Sequence, residues 1–235
     1  MISPSSIRVA QRVVILYTLM FRFTAENNPN HPKTKDWLAI LPQWLDRLNL
    51  GSELEPLDAE IIGTELGGLD QERLTDARGC GEAIGVLGWA LQRVAVPPDF
   101  EPVDPNLVFP ALGLQPVGMV KGAEELIACA NLRPREEILA YYAQNEIVHC
   151  CMRSREMSAG NSATMQQITR KNLAVLKLER GESDFRSAQE RVARLTGEQF
   201  RRLAGICFVR SFAAEWLVGK RECYWGDEEE EEDDA

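Results

Sequence analysis

Residues 70–91 read Asp70-Gln71-Glu72-Arg73-Leu74-Thr75-Asp76-Ala77-Arg78-Gly79-Cys80-Gly81-Glu82-Ala83-Ile84-Gly85-Val86-Leu87-Gly88-Trp89-Ala90-Leu91. Asp70 is a good helix N-cap, because its short carboxylate can accept from the unpaired N–H groups of the first turn. Ile84, Leu87, Leu91 and Val94 then recur at steps of three and four, the spacing of one helix face. A helix over 70–94 is the expectation. Its interior holds Gly79, Gly81, Gly85 and Gly88, each costing about 1 kcal/mol relative to alanine. Gly81, Gly85 and Gly88 share one face, where another backbone could approach closely. The opposite reading is a break at Gly79-Cys80-Gly81.

The same periodicity extends outward in both directions, and no strand-like alternation is sustained. Upstream, a helix is expected over 6–26, closed by the turn cluster Asn27-Asn28-Pro29. A second covers 35–48, with Trp37, Leu38, Leu41, Trp44, Leu45 and Leu48 on one face and Pro42 starting a fresh turn. A third covers 57–66 and stops at Gly67-Gly68. Downstream, residues 97–116 hold 6 of the 12 prolines, which reads as a long irregular connection. Further helices are expected over 123–129, over 134–157 with Pro134 in the first turn, over 164–180, and over 196–218 behind the capping box of Thr196 and Gln199. Residues 158–162 read as a loop. The fold class is therefore all-α: one domain of about eight helices over 1–225, with a Pro-rich central connection and a disordered acidic tail over 226–235.

The net charge of −10 belongs mostly to that tail, since 227–234 is a run of eight acidic residues. The tail has one sign of charge and nothing apolar but Ala235, so it reads as a solubilising end. A sharper alternative folds it back on 170–210, where 10 Lys/Arg face 5 Asp/Glu. That excess is too weak and too interrupted to be a nucleic-acid footprint. None of the six cysteines sits in a C-x-x-C pair, a usage that suits a reducing cytosol. The apolar run 13–21 is too short to span a bilayer, and Arg22 closes it with no cleavage site behind it, so a buried first helix is expected rather than a signal peptide.

Residues 81–91 resemble the "E-A-(I/L)-x-V-L-x-W-A-L" signature of the bacterial domain of unknown function 4272 family. Three more pieces stand in that family's order. They are an Arg-rich apolar first helix from Arg8 to Arg22, a Trp-Leu helix (Trp37-Leu38 or Trp44-Leu45), and Leu132-Arg133-Pro134-Arg135-Glu136-Glu137-Ile138-Leu139, similar to "L-R-x-x-E-E-I-L". The resemblance covers most of 7–180. It departs at Gly79-Cys80, where the family has Trp-Arg, and its later Trp-bearing helix is only faintly echoed by 170–178. The resemblance implies a single helical domain and no particular activity.

Chemistry-bearing residues are few. His149, Cys150 and Cys151 are neighbours, but two histidines and no matching spacing make no zinc pattern. No G-x-S-x-G, H-E-x-x-H or P-loop occurs. No catalytic residue, metal ligand or cofactor is therefore assigned. Glu82, set among Gly81, Ala83, Ile84 and Gly85, needs an arginine from another helix if it is buried. The candidate binding residues are Glu82, Trp89, Arg133 and Glu137, with a structural role as the competing reading. The function expected is that of a non-catalytic helical interaction or regulatory module of the bacterial cytoplasm, with a protein partner and neither nucleic acid nor membrane. The alternative is a small-molecule-binding protein or enzyme with a charged pocket around Glu82.

Overall fold

A computed structural model of the chain describes residues 2–115, 120–156, 162–178 and 181–225. The acidic tail and most of the 158–162 loop lie outside the described residues. Among those described, ten α-helices and no strand occur: α1 Ser6–Asn27, α2 Thr34–Arg47, α3 Pro56–Gly63, α4 Gln71–Ala90, α5 Pro105–Ala111, α6 Val120–Ala128, α7 Arg135–Glu156, α8 Ser162–Val175, α9 Glu182–Ala193 and α10 Gly197–Leu217. No helix of the described residues is long and apolar enough to cross a membrane.

The packing order follows from which helices are apolar on more than one side. Helix α1 buries Val9, Ala10, Val13, Val14, Ile15, Leu16 and Leu19 completely. An apolar surface that covers more than one stripe needs neighbours all round. It finds them in α4 on one side and in α2, α3 and α6 on others. Helix α4 in turn packs on α10, α10 on α7, and α7 carries α8 and α9. The backbone of the molecule is thus the series α1–α4–α10–α7.

The glycines of α4 serve this packing, and the helix is unbroken through Gly79-Cys80-Gly81. A Cβ at Gly79 would lie 2.8 Å from Val209 Cγ2 of α10. One at Gly85 would strike Val103 of the Pro-rich connection, and one at Gly88 would crowd Leu112. At Gly81 the nearest atom is the Met20 sulfur at 3.6 Å, an ordinary contact. The glycines therefore admit side chains of α10, of the Pro-rich connection and, at Gly81, of α1 rather than one neighbouring backbone.

Helix α4 also stops four residues short of Val94. Gln92 takes a left-handed conformation at φ 61°, and its N–H bonds the Trp89 carbonyl while that of Arg93 bonds Gly88. This is a Schellman closure made without glycine.

Ten helices rather than about eight reflect two short ones. Helix α5 forms inside the Pro-rich connection because Pro105 occupies the first turn, where no N–H is needed, and Asp104 accepts from the Asn106 N–H at 2.9 Å. Helix α9 buries Phe185, Ala188 and Val192, one stripe at steps of three and four, against α7.

Candidate functional site

Glu82 projects from the middle of α4 and meets Arg210 of α10. Arg210 Nη2 and Nε reach Glu82 Oε2 at 2.6 and 3.0 Å. The other carboxylate oxygen accepts from the Val103 N–H at 3.0 Å. Arg210 also donates to the carbonyls of Pro98 at 2.6 Å and Glu101 at 2.7 Å. Its side chain is 3% exposed and that of Glu82 14%. The pair therefore ties α4, α10 and the Pro-rich connection together. Both Glu82 oxygens and all three Arg210 nitrogens are engaged within the chain, and such saturation is what lets a buried ion pair persist.

Trp89, Arg133 and Glu137 form a separate group at the end of α4. Arg133 Nε donates to the Trp89 carbonyl at 2.9 Å and its backbone N–H to that of Ala90 at 2.8 Å. The guanidinium lies 5.2 Å from the centre of the Trp89 ring. Nη1 reaches Glu137 Oε2 at 3.0 Å, one helical turn on. Trp89 is buried against Tyr141, ring centres 4.7 Å apart, and burial pushes the Tyr141 hydroxyl well above its ordinary range. Arg133 thus satisfies last-turn carbonyls of α4. The four candidate residues fall into two clusters, each engaged with its own surroundings.

Burial raises four of the thiols, Cys80, Cys150, Cys151 and Cys207, and keeps the His149 imidazole neutral. All six cysteines are free. Burial pushes Cys207 up to about 11 and Cys151 up to about 12, so neither carries much thiolate at neutral pH. Burial also pulls His149 below its ordinary value, with Arg153 adding to the effect. Its ring lies edge-on to Phe208, centres 6.2 Å apart. Among the described residues, no group of three or more His, Cys, Asp or Glu converges as a metal cage.

The C-terminal segment is held by a further charged cluster. Arg12 of α1 bonds Asp58 Oδ2 at 2.6 Å and Glu55 Oε1 at 2.8 Å. Glu55 accepts the Tyr224 and Trp225 N–H groups at 2.7 and 2.8 Å, and Asp58 Oδ1 accepts the Trp225 indole N–H at 2.7 Å. This clamp places Tyr224 and Trp225 beside α4 and α10.

A groove of about 740 Å³ opens there. Its walls are Pro56 and Leu57 of α3, residues 72–80 of α4, residues 205–212 of α10, and 223–225. The α10 wall presents Gly205, Phe208, Val209 and Phe212, spaced i, i+3, i+4 and i+7. Phe208 is 49% exposed, and a Cβ at Gly205 would meet nothing within 4 Å. A smaller concavity of about 260 Å³, lined by His149, Met152 and Arg153 of α7, lies across Gly205 and Phe208. The opposite face of α10 is the buried one, with Leu203, Cys207, Arg210 and Ala214. Helix α10 is therefore apolar on two faces; the groove face is partly covered, since Val209 packs on Gly79 of α4 and the Arg221 guanidinium lies 3.8 Å from the centre of the Phe212 ring, while Phe208 is left exposed.

No family model, no curated protein and no solved structure matches the chain.

Sequence reasoning passed over Arg210 and the groove residues. The signal for the groove was present: 205, 208, 209 and 212 make a second helical stripe beside 203, 207, 210 and 214. It merges with the first into a helix that looks simply buried.

Proposed function

We propose that the chain is a non-catalytic interaction module that docks a protein partner in the groove between α4 and α10. The observation that carries this reading is Phe208, 49% exposed on the groove wall of α10 beside the open Gly205, with Val209 and Phe212 half-buried along the same stripe. An apolar face at helical spacing, only partly covered along a groove of this size, is the form that helix-in-groove recognition takes. Gly205 adds to it. A mid-helix glycine costs about 1 kcal/mol relative to alanine, and no neighbour within 4 Å requires it. A partner segment lying across α10 would.

The alternative, a charged small-molecule pocket around Glu82, finds less support, because Glu82 and Arg210 spend their hydrogen-bonding capacity on each other and on backbone. A cytoplasmic setting accords with six free thiols, four of them buried. The resemblance to the domain of unknown function 4272 family is part of the same reading. Its segments 81–91 and 132–139 meet at Trp89 and Arg133, which suits a motif that preserves a fold.

Position-specific photo-crosslinking in living cells tests the docking. A photoreactive residue at 208 should give one discrete protein adduct, lost when Gly205→Trp is added. The same residue at exposed position 190 of α9 should give none. Equal adducts at both positions, or none at 208, would contradict the reading.

A further inference from the structure

Phe208 divides two depressions. On one side is the groove between α4 and α10, and on the other the concavity of about 260 Å³ between α7 and α10. Gly205 and Phe208 belong to the walls of both. One small patch therefore carries an aromatic ring, 49% exposed, and a hollow beside it. A cavity of about 150 Å³ accepts a benzene ring, so this hollow has room for a phenyl group. Met152 and Ala204 give it an apolar lining.

The charges around the patch are mixed in sign. Glu72, Asp76 and Arg73 line the groove together. Arg153 and Glu156, both exposed, line the concavity together. Among the described residues, neither of these two is in an ion pair. A rim of mixed sign selects neither a basic nor an acidic partner, but it matches its own image. About a two-fold axis, Arg153 of each copy faces Glu156 of the other. Every contact of such an interface occurs twice, because the same patch is used on both sides. Gly205 completes the match. It has no neighbour within 4 Å, and a mid-helix glycine removes the side chain that would hold two crossing helices apart.

From these features we infer that the occupant is a second copy of this chain. Two α10 helices cross at Gly205 about a two-fold axis, and Phe208 of each enters the concavity between α7 and α10 of the other. This inference rests on the α10 stripe being a docking surface and names what covers it. Closed two-fold dimers are the commonest assemblies of soluble chains, and aromatic rings are enriched at the centres of protein interfaces.

Sedimentation velocity of the full chain over about 1–100 μM tests it, with thermal melts confirming that each variant folds. The parent should be dimeric at the upper concentrations, and Phe208→Ser and Gly205→Trp should be monomeric throughout. Arg153→Glu and Glu156→Arg lie at exposed positions. Each sets like charges opposite one another twice and should weaken self-association at least about tenfold. An equimolar mixture of these two variants should associate as tightly as the parent, because opposite signs meet again in the mixed dimer. Damage to the fold by either substitution would not be repaired by mixing. A dimer that survives both Phe208→Ser and Gly205→Trp, or a mixture no tighter than the single variants, would overturn the inference. A parent that stays monomeric would also overturn it. The docking reading then stands if a photoreactive residue at 208 captures a different protein in cells, and falls with the inference if it captures none.

Discussion

Arg210 illustrates how this chain uses charge. A guanidinium 3% exposed would be untenable alone, and it persists because three oxygens surround it, one from the facing helix α4 and two from the Pro-rich connection. That Glu82 requires an arginine is readable in its apolar neighbours. Which arginine is not, because 128 positions separate the partners and only the α4–α10 packing brings them together. Glu146 of α7 is a different case. It is buried, beside Tyr142, whose hydroxyl accepts from Lys220 Nζ at 2.8 Å, and with Glu215 and Arg221 close by. Burial first, and Glu215 second, raise its carboxyl above the ordinary value, while Lys220, the Tyr142 hydroxyl and Arg221 pull it back in part. The folded chain thus favours the protonated form. Stability from this group is fully present below the ordinary carboxylate range and is lost as pH rises through the raised value. Glu146→Gln should therefore be more stable than the parent at pH near 8, with the difference vanishing toward pH near 4. Urea midpoints across that range check it, and a glutamine variant less stable at the upper pH would refute it.

At the scale of elements, two glycines make opposite forecasts from one substitution. Alanine gains about 1 kcal/mol of helix propensity at either position. At Gly79 the new methyl would stand 2.8 Å from Val209 Cγ2, and relieving such a contact in a packed region costs about 1–3 kcal/mol. At Gly205 it meets nothing within 4 Å. Gly79→Ala should lower the unfolding free energy and Gly205→Ala should raise it by about 0.5–1 kcal/mol. Equal shifts of the two urea midpoints would mean that α4 and α10 do not approach at Gly79. Helices α1, α2, α7 and α10 were legible because their apolar spacing runs over 14 to 22 residues. Helices α5 and α9 are seven and twelve residues long, too short for periodicity to outweigh prolines or polar neighbours. The end of α4 was hidden for another reason. Its closure uses Gln92 at positive φ, where sequence reasoning looks for glycine.

For the whole molecule, the ion pairs of Arg12 and Arg210 join segments distant in sequence, and one apolar face of α10 is only partly covered. The clamp of Arg12, Glu55 and Asp58 holds the chain up to Trp225. Truncation after Trp225 removes eight like charges and, apart from Ala235, no apolar residue, and should shift the melting temperature by less than about 2 °C. Truncation after Glu222 also removes the fully buried Tyr224 and leaves Glu55 and Asp58 without the three donors of the C-terminal segment. It should cost about 3 kcal/mol or more, a fall of about 6–12 °C by differential scanning calorimetry. The candidate binding residues read from the sequence are engaged within the chain, and the groove was missed because a partly exposed apolar face and a buried one share the same residue types. Urea unfolding of Glu82→Gln beside Phe208→Ser tests the division most directly. Glu82→Gln leaves Arg210 buried without a countercharge and is expected to cost about 2–4 kcal/mol, whereas Phe208→Ser is expected to cost no more than about 1 kcal/mol. The reverse order, with Phe208 costing what a core residue costs and Glu82 nothing, would contradict it.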